Sequence, residues 1–338
     1  PGEIAGFATD MGGAEGHTAI MARSLELPAV LGVPDLSASI NSGDALIVDG
    51  TTGRIVVNPS RETLQFYRNR RSRLLRQRRR LKRLRTLPAV TLDDTRVALH
   101  ANLELPREID LAIASGAEGI GLLRTEFLFM NRETPPDEEE QYATLRKLVE
   151  GMNGQPVTIR TLDVGGEKLA YSLGEHMAES VNPALGLRAI RFSLRQPKLF
   201  ESQISAILRA NAHGPIRMLL PMISTVAEVQ EVREIAARVR RRLRRRGMNV
   251  GENMPPIGVM IEVPGAALAA DALAGVSDFF AVGTNDLTMY TLAIDRSDEQ
   301  VAHLYDPLHP AVLRLIQFSA QAALRARIPI SLCGEMAG

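Results

Sequence analysis

One cysteine, Cys333, stands among 338 residues. It cannot form an intramolecular disulfide, which fits a reducing compartment, makes the cytoplasm the expectation, and leaves the thiol for chemistry rather than stapling. No apolar run is long enough to span a bilayer, so membrane insertion is not expected. The opening Pro1-Gly2-Glu3 has the form of neither a signal peptide nor an initiator. His100, His176, His213, His303 and His309 lack metal-ligand spacing and read as structural. Acid is missing from one stretch. Between Arg68 and Arg85 lie ten arginines and Lys82 with no Asp or Glu, a charge of +11 in a chain whose net is +1, so the remainder carries −10.

What is present organises into two parts. The length exceeds the usual single domain and suits a small domain followed by a barrel of roughly 250 residues. Residues 1–59 alternate short apolar runs with glycine, including a turn at Asp49-Gly50-Thr51-Thr52-Gly53, and predict a small α/β unit. Residues 60–95 form the connection. From Ser60 to Leu87 there is no glycine or proline, and Leu64, Tyr67, Leu74, Leu81 and Leu84 recur at near-helical intervals, so a long helix ended by Pro88 is expected.

Residues 96–338 alternate strand-like and amphipathic segments. Seven strands are read: Val97 to Ala101, Gly119 to Leu123, Val157 to Leu162, Arg217 to Pro221, Ile257 to Ile261, Phe279 to Val282 and Ile330 to Cys333. Their continuous apolar character predicts a parallel sheet covered by helices, an α/β fold of the (β/α)8 TIM type. An eighth strand would be needed for closure, so the sequence is expected to be truncated at its C-terminal end.

Polar residues recur just past the strand ends: Arg124, Arg160, Glu262, Asn285 with Asp286, and Cys333. In parallel barrels those ends converge on one mouth. Arginines offer bidentate donors for phosphate and carboxylate, and paired carboxylates are hard oxygen ligands suited to Mg²⁺. His17 follows Gly12-Gly13 and precedes a helical run, a position where an incoming phosphate would meet backbone N–H groups and a helix dipole.

The run Gly12-Gly13-Ala14-Glu15-Gly16-His17-Thr18-Ala19-Ile20-Met21-Ala22-Arg23 closely resembles the phosphohistidine signature of the Enzyme I family of the bacterial phosphoenolpyruvate:sugar phosphotransferase system. Gly121-Leu122-Leu123-Arg124-Thr125-Glu126-Phe127-Leu128 and Arg160-Thr161-Leu162-Asp163-Val164-Gly165-Gly166 look like that family's arginine motifs. Asn182-Pro183-Ala184-Leu185-Gly186-Leu187-Arg188, Gly283-Thr284-Asn285-Asp286 and Cys333-Gly334-Glu335-Met336 continue the series in order.

The resemblance implies a phosphoenolpyruvate-protein phosphotransferase. It implies that Arg124, Arg160 and Arg296 hold the substrate's phosphate and carboxylate, with Arg188 and Asn285 supporting. Glu262 and Asp286 would ligate Mg²⁺, Cys333 would be the acid at the methylene carbon, and His17 would take the phosphoryl group and pass it to an HPr-type carrier. A homodimer through the barrel is implied as well.

Two departures from the family pattern stand out. Glu15-Gly16 replaces the usual small pair before the histidine, and nothing corresponds to the domain that docks HPr. A pyruvate phosphate dikinase or phosphoenolpyruvate synthase resembles the chain in the same two segments but needs a nucleotide-binding domain. From another class, the Arg-rich helix could bind an anionic polymer. Because its charges surround the helix, a solvated linker is the expectation, and nucleic acid is not expected as a partner.

Overall fold

The computed structural model describes residues 4–12, 18, 22, 27–130, 132–165, 182–296, 298 and 300–337. The chain divides into two units, Pro1–Leu87 and Pro88–Gly338.

In the first unit β1 (Phe7–Ala8) pairs in parallel with β2 (Ala29–Val30), and α1 (Leu36–Ser39) follows. Strands β3 (Leu46–Asp49) and β4 (Arg54–Val57) form an antiparallel hairpin across the expected turn. Asp49 closes that turn by accepting the Thr51 N–H at 3.1 Å and the Thr52 hydroxyl at 2.7 Å, since a short acidic side chain can replace a backbone acceptor.

The long helix α2 runs Arg61–Lys82. Ser60 caps it, its hydroxyl accepting the Thr63 N–H at 3.1 Å. The expected extension to Leu87 does not form. The Arg83 and Leu84 amides bond three residues back, to Arg80 at 3.1 Å and Leu81 at 2.8 Å, and the tightened turn ends the helix. No residue of α2 is buried, so its leucines do not serve a packed core.

The second unit opens with a hairpin of β5 (Ala89–Val90) and β6 (Arg96–Val97). This hairpin takes Val97 out of the strand expected there. Asp94 adopts a φ of 61°, and the Thr91 hydroxyl accepts the Thr95 N–H at 3.1 Å, closing the turn. The first sheet strand therefore starts later, as β7 (Ala101–Leu103).

Six more strands follow: β8 (Ile120–Leu123), β9 (Val157–Arg160), β10 (Ile216–Leu220), β11 (Ile257–Ile261), β12 (Phe280–Gly283) and β13 (Ile330–Cys333). All seven pair in parallel in consecutive order, with registers such as Met218 opposite Ile257 and Gly283 opposite Cys333. Strand β13 approaches β8, giving a nearly closed seven-stranded parallel barrel, as the strand count predicts.

The connections carry α3 (Ile109–Ser115), α4 (Glu138–Gly151), α5 (Ala189–Arg195), α6 (Pro197–Ala210), α7 (Val226–Arg245), α8 (Pro264–Leu268), α9 (Ala270–Ala274), α10 (Thr284–Leu292) and α11 (Pro310–Ala326). Outward strand residues such as Ile159, Leu220 and Val259 join Leu145, Ile207 and Val239 of these helices in one apolar cluster. Inward residues Leu122, Leu219, Met260 and Ala281 fill the interior with Phe279. With both faces covered, β9, β11 and β12 bury every residue, which is why β11 and β12 read as uninterrupted apolar runs, while β9 buries Thr158 and Arg160 as well. Gly258 makes room inside: a Cβ there would collide with the Phe279 ring.

Candidate active site at the barrel mouth

The carboxyl ends of the parallel strands deliver charged groups to one place. Glu262 directly follows β11, and α10, which follows β12 directly, carries Asp286 in its first turn. Oxygens of these two and of Asp163, past the end of β9, lie within 4.8 Å of one another. Such closeness raises the energy of the ionised state. Burial first, then Asp286 and Asp163, pushes the Glu262 carboxyl well above the usual range. Its Oε1 accepts the Met222 N–H at 2.6 Å, and Met222 holds a left-handed φ of 54°. Gly283 clears space for the same carboxylate, since a Cβ there would come within 2.9 Å of Oε2.

Two guanidinium groups, Arg160 buried and Arg188 partly buried, face this cluster. Arg160 meets Glu126 at 3.0 Å and Asp163 at 3.0 Å. Burial works against its charge, but Glu126, Asp163, Glu262 and Asp286 outweigh burial and raise its pKa. Arg188 donates to Asp163 at 2.8 Å and to the Tyr290 hydroxyl at 3.3 Å. Its pKa is also raised, with burial overcome chiefly by Asp163. For Asp163 burial is likewise the largest influence, but Arg160 and Arg188 overcome it and hold the carboxyl below the usual range.

Four carboxylates (Glu126, Asp163, Glu262, Asp286) thus face two guanidinium groups, a formal excess of two negative charges. Hard oxygen donors with a charge deficit of two fit a divalent cation of the Mg²⁺ kind. The supporting frame is polar and satisfied: Thr125 donates to the Arg160 carbonyl at 3.0 Å, and Gln203 donates to Thr125 at 3.1 Å. Some buried atoms lack partners, among them Glu126 Oε2, Arg160 Nε and Arg188 Nε. Unpaired buried groups are costly, and here they border the mouth.

Cys333 ends β13, buried, with its thiol donating to the Val282 carbonyl at 3.3 Å. Burial, with Glu262 next, pushes that thiol up to about 12. Gly334 follows with a φ of 101°, and a Cβ there would lie 3.0 Å from Asn285 Oδ1 and strike the Thr284 hydroxyl. Asn285 accepts the Glu335 N–H at 3.1 Å, and Tyr305 donates to the Asn285 carbonyl at 3.1 Å.

Two arginines read from the sequence pair with acids outside the carboxylate cluster. Arg124 is 41 % exposed and pairs with Glu104 at 2.5 Å, while Arg296 pairs with Glu335 at 3.0 Å. Within the cluster are Arg160, Arg188, Glu262 and Asp286. His17 lies outside the described residues, as do Gly166 and His176. Other histidines serve the scaffold: His213 bonds Tyr142 at 2.9 Å, and His309 accepts the Ala311 N–H at 3.2 Å to cap α11.

Sequence reasoning passed over Asp163, Glu126 and Tyr290 as members of the cluster. A signal existed for two of them: Asp163 stands three residues past Arg160, and Glu126 two past Arg124, both beyond strand ends. Tyr290 offered none, because it enters from the second turn of α10.

A parallel barrel whose mouth joins acids to arginines offers donors suited to multiply charged anions and oxygen ligands suited to a divalent cation. The chain belongs to the PEP-utilising enzyme family: its PEP-binding domain model matches residues 78–338, and the family's mobile domain matches residues 2–53. The resemblance read from the motifs is thereby borne out.

Among curated relatives, the phosphoenolpyruvate-protein phosphotransferase of Cupriavidus necator is 48% identical over 334 residues, covering 98% of this chain and 57% of that protein. The protein of the same name from Geobacillus stearothermophilus is 44% identical, covering 99% and 57%. That of Staphylococcus aureus strain MSSA476 is 41% identical, covering 99% and 58%. The chain thus spans somewhat more than half the length of the curated relatives it matches. Among solved structures, an HpcH/HpaI aldolase/citrate lyase family protein from Burkholderia cenocepacia has a TM-score of 0.43 at 16% identity, covering 76% of this chain and 85% of that chain. That likeness is too distant to bear on the chemistry. Among the described residues no helix is long and apolar enough to cross a membrane.

Proposed function

We propose that this chain carries the phosphoenolpyruvate site and the phosphohistidine segment of a phosphoenolpyruvate-protein phosphotransferase. The observation that supports it most is the cluster of Glu126, Asp163, Glu262 and Asp286 around Arg160 and Arg188. Phosphoenolpyruvate is a phosphate ester with a carboxylate two atoms away, so its recognition calls for guanidinium groups at both ends. Arg160 and Arg188 are held in fixed orientations by Asp163 and would take the phosphoryl oxygens. Arg124 and Arg296, at the more open rim, would take the remaining charge, with Asn285 as a neutral donor. Mg²⁺ held by Glu262 and Asp286, with Asp163 beside them, would supply charge neutralisation on the phosphoryl oxygens and the leaving enolate.

The residues of the chain then divide the work. His17 attacks phosphorus in line through a neutral ring nitrogen, the P–O bond to the enol oxygen breaks, and a P–N bond forms. The enolate takes its proton at the methylene carbon from the Cys333 thiol, which gives pyruvate. A thiol raised to about 12 stays protonated at neutral pH and keeps that proton available. An HPr-type carrier receives the phosphoryl group from His17 afterwards. A homodimer through the barrel and a cytoplasmic setting complete the reading, and exposed Leu313, Phe318 and Leu324 on α11 are compatible with a partner surface.

The test is phosphoprotein formation from radiolabelled phosphoenolpyruvate in the full-length enzyme. The parent protein should acquire acid-labile label and His17→Ala none. Persistent acid-labile label on the variant would refute the assignment.

A further inference from the structure

The feature that phosphoryl transfer leaves unused is α2. Eight of its cations have no carboxylate partner among the described residues: Arg68, Arg71, Arg73 and Arg76, then Arg79, Arg80, Lys82 and the capping Arg83. Arg70 is different, pairing with Asp49 at 3.3 Å. Every residue from Arg71 to Lys82 is exposed, and the one acid in the helix is Glu62, in its first turn. Like charges three and four residues apart repel, as Arg76 with Arg79 and Arg80 must. The helix therefore stores electrostatic repulsion that a polyanion would relieve.

Geometry narrows the choice of polyanion. At about 100° per residue the eight cations spread over roughly 200° of the helix circumference, along about 22 Å of its axis. From Arg68 onward Leu75 is the one apolar residue inside that arc. Tyr67, Leu74 and Leu81 gather on the opposite side, and Leu64, Tyr67 and Leu74 line a groove of about 1310 Å³ within the helix's own unit, with Arg68 and Arg71 at its border. Leu74 and Leu81 stay exposed, but they lie on the side away from the cations, so a bilayer cannot take up both sets at once. A flat anionic membrane would also meet only part of so wide an arc. A duplex groove differs, because it flanks an inserted helix with phosphates on both walls and admits an α-helix on the major-groove side. Ten of the cations from Arg68 to Arg85 are arginines, whose planar fork suits phosphate oxygens.

We infer that α2 is a binding site for double-stranded nucleic acid, recognising the phosphate backbone without base specificity. Duplex DNA carries about one charge per 1.7 Å of axis, and the eight cations, about one per 2.8 Å of helix, suffice to neutralise several phosphates.

The experiment is a fluorescence anisotropy titration of the intact chain against a labelled duplex DNA of about 24 base pairs, at about 50 and about 200 mM salt. Binding at the lower salt, weakened about a thousandfold or more at the higher, is the expected result for six or more phosphates neutralised. The variant combining R76Q, R79Q, R80Q and R83Q should weaken binding at low salt by at least about 100-fold and reduce the salt slope by about 3 to 4. Lysine at the same four positions should retain most of the slope, and circular dichroism should show the helix intact in both variants. Absence of binding at low salt, or equal affinity in the glutamine variant with its helix intact, would overturn the inference. So would tighter binding to vesicles of anionic phospholipid than to the duplex.

Discussion

At the scale of single residues, the mouth of the barrel separates groups whose charge is fixed from one held neutral. Asp163 is pinned as a carboxylate by two guanidinium groups, whereas the Cys333 thiol, in the same neighbourhood, is driven toward its protonated form by burial and by Glu262. A protonated thiol beside fixed charges is suited to giving up a proton once, late in a reaction. Cys333→Ala should therefore slow pyruvate formation at least about tenfold while leaving phosphoenolpyruvate affinity nearly unchanged, a split that turnover measured beside calorimetric binding would reveal. Equal turnover in the variant would remove Cys333 from its role. Tyr290 acts through another residue. Its hydroxyl donates to the Ala184 carbonyl at 2.5 Å and accepts from Arg188, so it ties α10 to the loop that carries Arg188. Tyr290→Phe should cost about 1 kcal/mol of that positioning and raise KM about fivefold with a smaller change in kcat. An unchanged KM would show that Arg188 holds its orientation without the hydroxyl.

Among the elements, local capping explains where helices begin, and neighbouring structure explains where they stop. Helix α7 starts at a reciprocal box: the Thr225 hydroxyl accepts the Glu228 N–H at 3.3 Å, and the Glu228 carboxylate accepts the Thr225 N–H at 2.8 Å. That helix packs Val229, Val232, Ala236 and Val239 into the barrel's outer core. Thr225→Ala should lower stability by about 1 kcal/mol, visible as a lower urea midpoint with an unaltered slope. A shift under about 0.3 kcal/mol would mean that the core, rather than the cap, sets the helix start. Strand β7 illustrates the opposite case, since the apolar run beginning at Val97 was legible but its register was not. The Asp94 turn draws Val97 into a hairpin, and a competition between turn and sheet is settled only when both partners are in place.

For the molecule as a whole, the excess negative charge at the mouth would link the proposed cation binding to stability. Glu262 has a folded-state pKa raised above its unfolded value, so its contribution is favourable at low pH and is lost as pH rises through the folded value. A divalent cation bound there would reverse that loss by favouring the carboxylate. Mg²⁺ at 100 times its Kd should then stabilise the chain by about 2.7 kcal/mol, seen as a rise in Tm that is larger near pH 8 than near pH 5. Asp286→Asn should remove most of the rise. A Tm insensitive to Mg²⁺ at both pH values would mean that the carboxylates are balanced by protein groups alone.

The seven-strand count, the parallel order, the turn at Asp49 and the charged strand ends were all readable in the sequence, because each is set by residues close together in the chain. Continuous apolar runs report burial on both faces, and a strand end followed by a charged residue reports a rim. Which of those rim residues converge was decided by the tertiary structure. Arg160, Arg188, Glu262 and Asp286 meet, while Arg124 and Arg296 are held by Glu104 and Glu335, since side-chain reach and competing partners depend on distances that only the closing of the sheet creates. Asp163 and Tyr290 entered the cluster for the same reason: the barrel brings residues more than 100 positions apart within hydrogen-bonding distance, as Arg188 and Tyr290 show.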